Sequence, residues 1–194
     1  MSTEDLTPQK SLELITQVIS EAKIKFEENG FIYVFWGAVT AIAAFSQFVL
    51  LKLEMYSQNW YPYLLMPLGM LYSAYYFSKK RGRSKGNQIS KIISKTWIFL
   101  SINLLILGFV FAPMLEEHLT PMILILLAIG IMVSGIAIRS RLLFFSSIFI
   151  NASAIVCFFI DWLYQPLLLS IVAVVAILIP GIQLMVQYKR RRDV

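Results

Sequence analysis

Apolar residues recur along the chain in six runs of similar length, at 31–51, 60–77, 96–115, 119–138, 142–160 and 163–186. Each is close to the ~20 residues that a helix rising ~1.5 Å per residue needs to cross a ~30 Å hydrocarbon core. Runs such as "PMILILLAIGIMV" and "LLLSIVAVVAILI" lack the apolar–polar alternation of a barrel strand. Lipid offers no partner to a backbone N–H or C=O, so a non-barrel span must be a helix. The pattern therefore predicts an all-α membrane protein with six transmembrane helices.

Residues 8–28 follow a different pattern. Leu12, Ile15, Val18, Ile19, Ala22 and Phe26 form one helical stripe, with Glu13, Thr16, Gln17, Ser20 and Glu27 elsewhere. Thr7 before Pro8 marks a start, and "ENG" at 28–30 a stop or hinge. The chain thus divides into a cytoplasmic amphipathic helix (1–30), a six-helix transmembrane domain (31–188) and a basic cytoplasmic tail (189–194). The amphipathic helix carries more acids than lysines between 11 and 28, which suits packing on protein better than adhesion to anionic headgroups.

Charge sets the expected orientation, because short loops rich in Lys and Arg stay on the cytoplasmic side. Sixteen of the seventeen basic residues fall before the first run, between the second and third, between the fourth and fifth, or after the sixth. The alternate connections hold Lys52 with Glu54, Glu116, Glu117, His118 and Asp161. Both termini are expected in the cytoplasm, with the six helices forming three in-out-in hairpins. Trp60 and Trp162 would mark the outer interface, and Trp36 and Trp97 the inner one. Each outside-to-inside helix opens near a proline, Pro62, Pro121 or Pro166, with Asn59, Thr120 or Asp161 nearby to accept backbone N–H groups. That recurrence also arises whenever helices start at one interface and stop at the other, so it does not by itself establish an internal repeat. The polar, acidic start "MSTEDLTPQK" lacks the pattern of a cleavable signal, so the first run is expected in the mature protein.

Composition agrees with the membrane reading: 58% of residues are hydrophobic and 14% charged, too few polar side chains to clothe a water-facing globule. The mean hydropathy is +0.72. The interior of the runs holds no acid, Lys, Arg or His, which argues against ion coupling through a membrane carboxylate. Its polar groups include Asn103, Asn151, Ser147 and Gln183, candidates for interhelical contacts or for a polar cavity. Gly37 with Ala41, and Gly130 with Ser134, have the small-xxx-small spacing that allows close helix approach. Pro67 and the pair Pro180 and Gly181 are candidate hinges, whose freed carbonyls could meet a solute.

Catalytic signatures are not evident. No Walker loop, dinucleotide glycine pattern, GxSxG or HExxH occurs, and a single histidine leaves little acid–base chemistry near neutral pH. The outer "EEH" at 116–118 has metal-ligand residue types but no second His or Cys beside it. The expectation is no enzyme activity, no metal and no cofactor. Cys157, the one cysteine, reads as a small apolar filler.

The basic stretch "SKKRGRSKGNQISKIISK" at 78–95 is foremost a topological determinant. Lys79, Lys80, Arg81, Arg83 and Lys85 are also candidate contacts to anionic headgroups, at ~1 kcal/mol each near an anionic leaflet. Without interleaved aromatics to stack on bases, no nucleic-acid partner is expected. From Asn87 onward, Ile89, Ile92 and Ile93 predict a helix leading into the third run.

The region "SLELITQVISEAKIKFEENGFIYVFWG", with "NWYPYLLMPLGMLYSAYY" and the basic loop, resembles small uncharacterised bacterial multi-helix inner-membrane proteins. The resemblance covers mainly the first half of the chain and implies a bacterial cytoplasmic (inner) membrane; it carries over no activity and no site residue. The functional expectation is a non-enzymatic regulatory, scaffold or sensor component acting through helix packing and cytoplasmic protein contacts. Its partners would be membrane lipids and a second copy, as a homo-oligomer, or another membrane protein. The alternative is a small channel or transporter for a neutral or amphipathic solute.

Overall fold

The computed structural model describes residues 8–28, 30–80 and 88–192, within which every regular element is helical. In chain order these are α1 (Pro8–Glu28), α2 (Gly30–Lys52), α3 (Leu65–Lys80), α4 (Gln88–Leu105), α5 (Ala112–Leu115), α6 (Leu119–Ala137), α7 (Arg141–Cys157), α8 (Gln165–Ala173) and α9 (Ile179–Arg192). Three helical stretches are long and apolar enough to cross a membrane: Gly30–Lys52, Gln88–Ala137 and Gln165–Arg190.

The second of these, 50 residues long, is a folded-back pair rather than a rod. In a straight helix Trp97 and Gly130 would lie ~50 Å apart. Instead a Cβ placed on Gly130 would sit 3.4 Å from the Trp97 indole and 2.6 Å from Leu100. The reversal falls at Glu116, whose φ of 45° ends α5.

Two other helix ends share a different device. Beyond α2, Met55 N–H donates to Leu50 C=O at 2.9 Å and Glu54 N–H to Leu51 C=O at 3.1 Å, with Glu54 at φ 59°. Beyond α6, Ser140 N–H donates to Gly135 C=O at 2.8 Å and Arg139 N–H to Ile136 C=O at 3.2 Å, with Arg139 at φ 51°. Both are Schellman endings, with a charged residue where glycine is usual.

Two prolines inside apolar helices are absorbed rather than excluded. Pro113 and Pro180 remove an N–H and press on the carbonyls four residues back, those of Phe109 and Ala176. Both carbonyls lie in wide π-helical turns, Ile106–Phe111 and Val174–Leu178, which make room for the rings without ending the helix. The run at 60–77 starts its α-helix later than its apolar pattern suggests. Tyr61–Leu64 is a 3₁₀ turn holding Pro62, so α3 spans 16 residues, ~24 Å.

The most extensive packing joins α6 to α7, where Leu124, Ile131 and Ile138 meet Leu143 and Ile150 in a core with no solvent exposure. A Cβ on Gly135 would come within 2.9 Å of the Phe144 nitrogen, so this pair approaches nearly backbone to backbone. The first long helix packs on the last. A Cβ on Gly37 would lie 2.7 Å from Leu178 N, and one on Gly181 2.7 Å from Val34 N. Ser170 Oγ adds a hydrogen bond to Ala41 C=O at 2.9 Å. The outer surface is apolar: Leu71, Phe99, Phe145 and Phe159 are 70%, 67%, 65% and 85% exposed. The α1 helix packs on α9, α4 and, more lightly, α2.

These contacts predict a contrast between two glycines. Gly37→Leu drives a side chain into the Leu178 backbone and is expected to lower stability by about 3 kcal/mol or more. A Cβ on Gly108 meets nothing within 4 Å, so Gly108→Ala is expected to be neutral or to stabilise by up to ~1 kcal/mol through helix propensity. Thermal unfolding of the detergent-solubilised variants measures both.

Candidate functional site

Polar side chains in an apolar bundle cost free energy unless paired, so their placement shows where chemistry is available. Two matching clusters stand out. Trp36 Nε1 donates to Ser73 Oγ at 3.1 Å, and Trp97 Nε1 donates to Ser134 Oγ at 2.9 Å. The serine follows the tryptophan by 37 residues in both cases. Four residues before each serine is a glycine, Gly69 or Gly130, on which the indole rests: a Cβ there would be 3.1 Å and 3.4 Å from the respective Trp Cη2. Glycine leaves the recess that the ring fills, and the hydroxyl one helical turn on satisfies its N–H. Ser134 Oγ also donates to Gly130 C=O at 2.9 Å. Tyr33 sets its ring edge-on against Trp97 at 6.0 Å and 83°, tying α2 to the second clamp.

Both tryptophans therefore serve as interhelical locks rather than simple interface anchors. The shared Trp, Gly and Ser spacing was available in the sequence as the signal for them. Other polar groups bind their own backbone: Ser147 Oγ donates to Phe144 C=O at 2.7 Å and Ser153 Oγ to Phe149 C=O at 2.8 Å. Gln165, not singled out by the sequence reading, is buried and donates to the carbonyls of Cys157 and Ile160 at 3.3 and 3.4 Å, closing the end of α7.

The candidate cavity residues are not brought together. Asn103 is half-buried and donates to Phe99 C=O of its own helix at 2.8 Å. Ser147 is fully buried against the α6 side, whereas Asn151 and Gln183 are exposed on α7 and α9. Of the candidate hinges, Pro180 and Gly181 lie in the continuous start of α9, with Gly181 pressed against α2. Pro67 lies in the first turn of α3 and lines an apolar surface groove with Leu105, Ile106, Phe109 and Val110. Lys79 is exposed at the end of α3; the side chain of Lys80, and Arg81, Arg83 and Lys85 altogether, lie outside the described residues.

At the opposite end of the bundle Lys52 Nζ lies 3.1 Å from Tyr164 Oη and donates to it, and sits over the Tyr164 ring at 4.6 Å. The ammonium thereby joins the end of α2 to the start of α8. Asp161 Oδ1 accepts the Leu163 N–H at 2.9 Å in the turn ahead of α8. His118 lies 4.0 Å from Glu117 and stacks near Phe158 at 6.0 Å. Among the described residues, no three His, Cys, Asp or Glu side chains gather as metal ligands would.

The feature that reaches beyond the bundle is α1. Leu14, Ile15, Val18 and Ile19 line, with Ile89 of α4, an apolar surface groove, and Leu12, Leu14 and Ile15 are 70%, 53% and 55% exposed. Glu13 and Glu21 lie on the same helix, the latter accepting a 3.0 Å hydrogen bond from Gln17.

No family model, curated protein or solved structure matches the chain.

The second clamp predicts measurable coupling. A double-mutant cycle of Trp97→Phe and Ser134→Ala, read by unfolding in detergent or lipid, is expected to give a favourable interaction of about 0.6–1.7 kcal/mol, the range for interhelical hydrogen bonds in membranes. Additive effects would mean the 2.9 Å bond contributes nothing.

Proposed function

We propose that the protein is a non-enzymatic, six-span component of a bacterial cytoplasmic membrane, built as three in-out-in hairpins with both termini inside. Its role is regulatory, scaffolding or sensing, exerted through protein contacts on the cytoplasmic side. The observation that carries this reading is α1, a helix packed on α9 and α4 that leaves Leu12, Leu14 and Ile15 more than half exposed. An apolar helical face with neighbouring acids suits a protein groove better than an anionic leaflet. The apolar outer surface and the one-sided basic residues support the membrane placement and its orientation. In that placement α4 and α6 span as separate helices, as do α3, α7 and the α8–α9 pair, and Lys79 and the basic loop contact anionic headgroups. Asn103, Asn151 and Gln183 do not converge, so the placement of polar groups favours the scaffold reading over a conduit.

Two measurements test the proposal. Cysteines replacing Glu117 and Asp161 should react with a membrane-impermeant maleimide from outside intact cells, and cysteines replacing Lys10 and Lys189 only after lysis; the reverse pattern rejects the topology. A photo-reactive residue at Leu14 should give one dominant protein adduct, lost with Leu12→Glu. Adducts to lipid alone would reject docking through α1, and solute flux in proteoliposomes would transfer support to the transport alternative.

A further inference from the structure

We propose that the outward face of α7 pairs with the same face of a second copy, with two Asn151 carboxamides exchanging hydrogen bonds across a two-fold axis. The inference rests on the membrane placement above. Asn151 is exposed, and among the described residues its side chain has no hydrogen-bond partner. Asn103, by contrast, is spent on the Phe99 carbonyl of its own helix.

Depth makes the exposed amide informative. Asn151 lies ten residues beyond Arg141, ~15 Å along the helix, near the middle of a ~30 Å core. Its side chain is too short to reach water from there. Gln183 is also exposed, but it is longer and sits seven residues, ~10 Å, before Arg190, nearer the basic end of its span. Among the described carboxamides, Asn151 alone combines exposure, this depth and the lack of a partner.

The surrounding face is shaped for a helix. Phe144, Ile148, Ala152 and Ile155 share the exposed side of α7 with Asn151, at the three- and four-residue spacing of one helical stripe. Ala152 beside the amide leaves room for a neighbouring backbone. The opposite stripe, from Leu143 through Ile150 to Cys157, is already committed to the core.

The chemistry of the face selects its occupant. A carboxamide carries donor and acceptor in one group, so a two-fold axis through it satisfies both with a reciprocal pair of bonds. The face has no charge with which to select a different protein. Lipid would leave the amide unpaired in hydrocarbon.

The test uses the full chain in lipid nanodiscs or proteoliposomes, with subunits counted over a dilution series. Wild type is expected to dimerise; Asn151→Leu should weaken the dimer about tenfold, the effect of losing two membrane hydrogen bonds, without lowering thermal stability. Asn151→Gln should retain most of the association, and Gln183→Leu should leave it unchanged. In a Cys157→Ala background, Ala152→Cys should form an intermolecular disulfide and Leu71→Cys on α3 should not. A wild type that stays monomeric throughout, or a dimer indifferent to Asn151→Leu, overturns the pairing. Ile148→Cys separates this failure from that of the membrane reading. Protection of that cysteine from a water-soluble maleimide in a monomeric protein overturns the pairing alone, and labelling of the monomer overturns the membrane placement with it.

Discussion

The structure depends on how closely its first and last long helices approach. Association between helices in an apolar medium gains little from the hydrophobic effect and relies on contact between surfaces. Gly30, Gly37 and Gly181 let α2 and α9 meet at backbone distance, and the Ser170 bond to the Ala41 carbonyl is reachable only because of that proximity. The π-helical turn that relieves Pro180 ends at Leu178, the residue whose backbone lies against Gly37. A backbone irregularity and a steric vacancy thus meet at one point. Through that contact α2 is joined to the last helix, and α1 in turn packs on α9 and α4.

Much of the fold was legible because apolar length is a direct physical requirement. The stripe at 8–28 became α1 over the same residues, and the runs at 31–51 and 119–138 became α2 and α6 within about one residue. The run at 60–77 was less faithful, since hydropathy does not distinguish a 3₁₀ turn around Pro62 from the helix that follows. Pair contacts were harder to see. Asn103 and Asn151 were alike candidates for an interhelical contact, yet one faces its own backbone and the other the outside, a difference set by helix rotation. Trp36 and Trp97 fit an interfacial belt equally well, and only the common spacing to glycine and serine points inward.

Several polar side chains of the bundle interior are occupied by nearby backbone. Ser134, Ser147, Ser153 and Gln165 each satisfy a backbone carbonyl. Chemistry of that kind stabilises one arrangement. Under the function proposed above, the surfaces left to act are the exposed apolar residues of α1 and the outward sides of the helices.

The paired indole clamps also constrain the length of the chain. The connection within the first hairpin runs through 3₁₀ turns at 56–58 and 61–64, whereas that within the second runs through a π turn, α5 and the 3₁₀ turn at Glu116–His118. Surface connections ordinarily tolerate insertions, and these two differ in every detail of shape. They nevertheless deliver serine and glycine to the indole at the same count. One added residue would rotate the following helix by ~100° and carry the glycine recess away from the ring. The outer connections are therefore free in sequence and conformation but fixed in residue number, as if each were a ruler whose material does not matter.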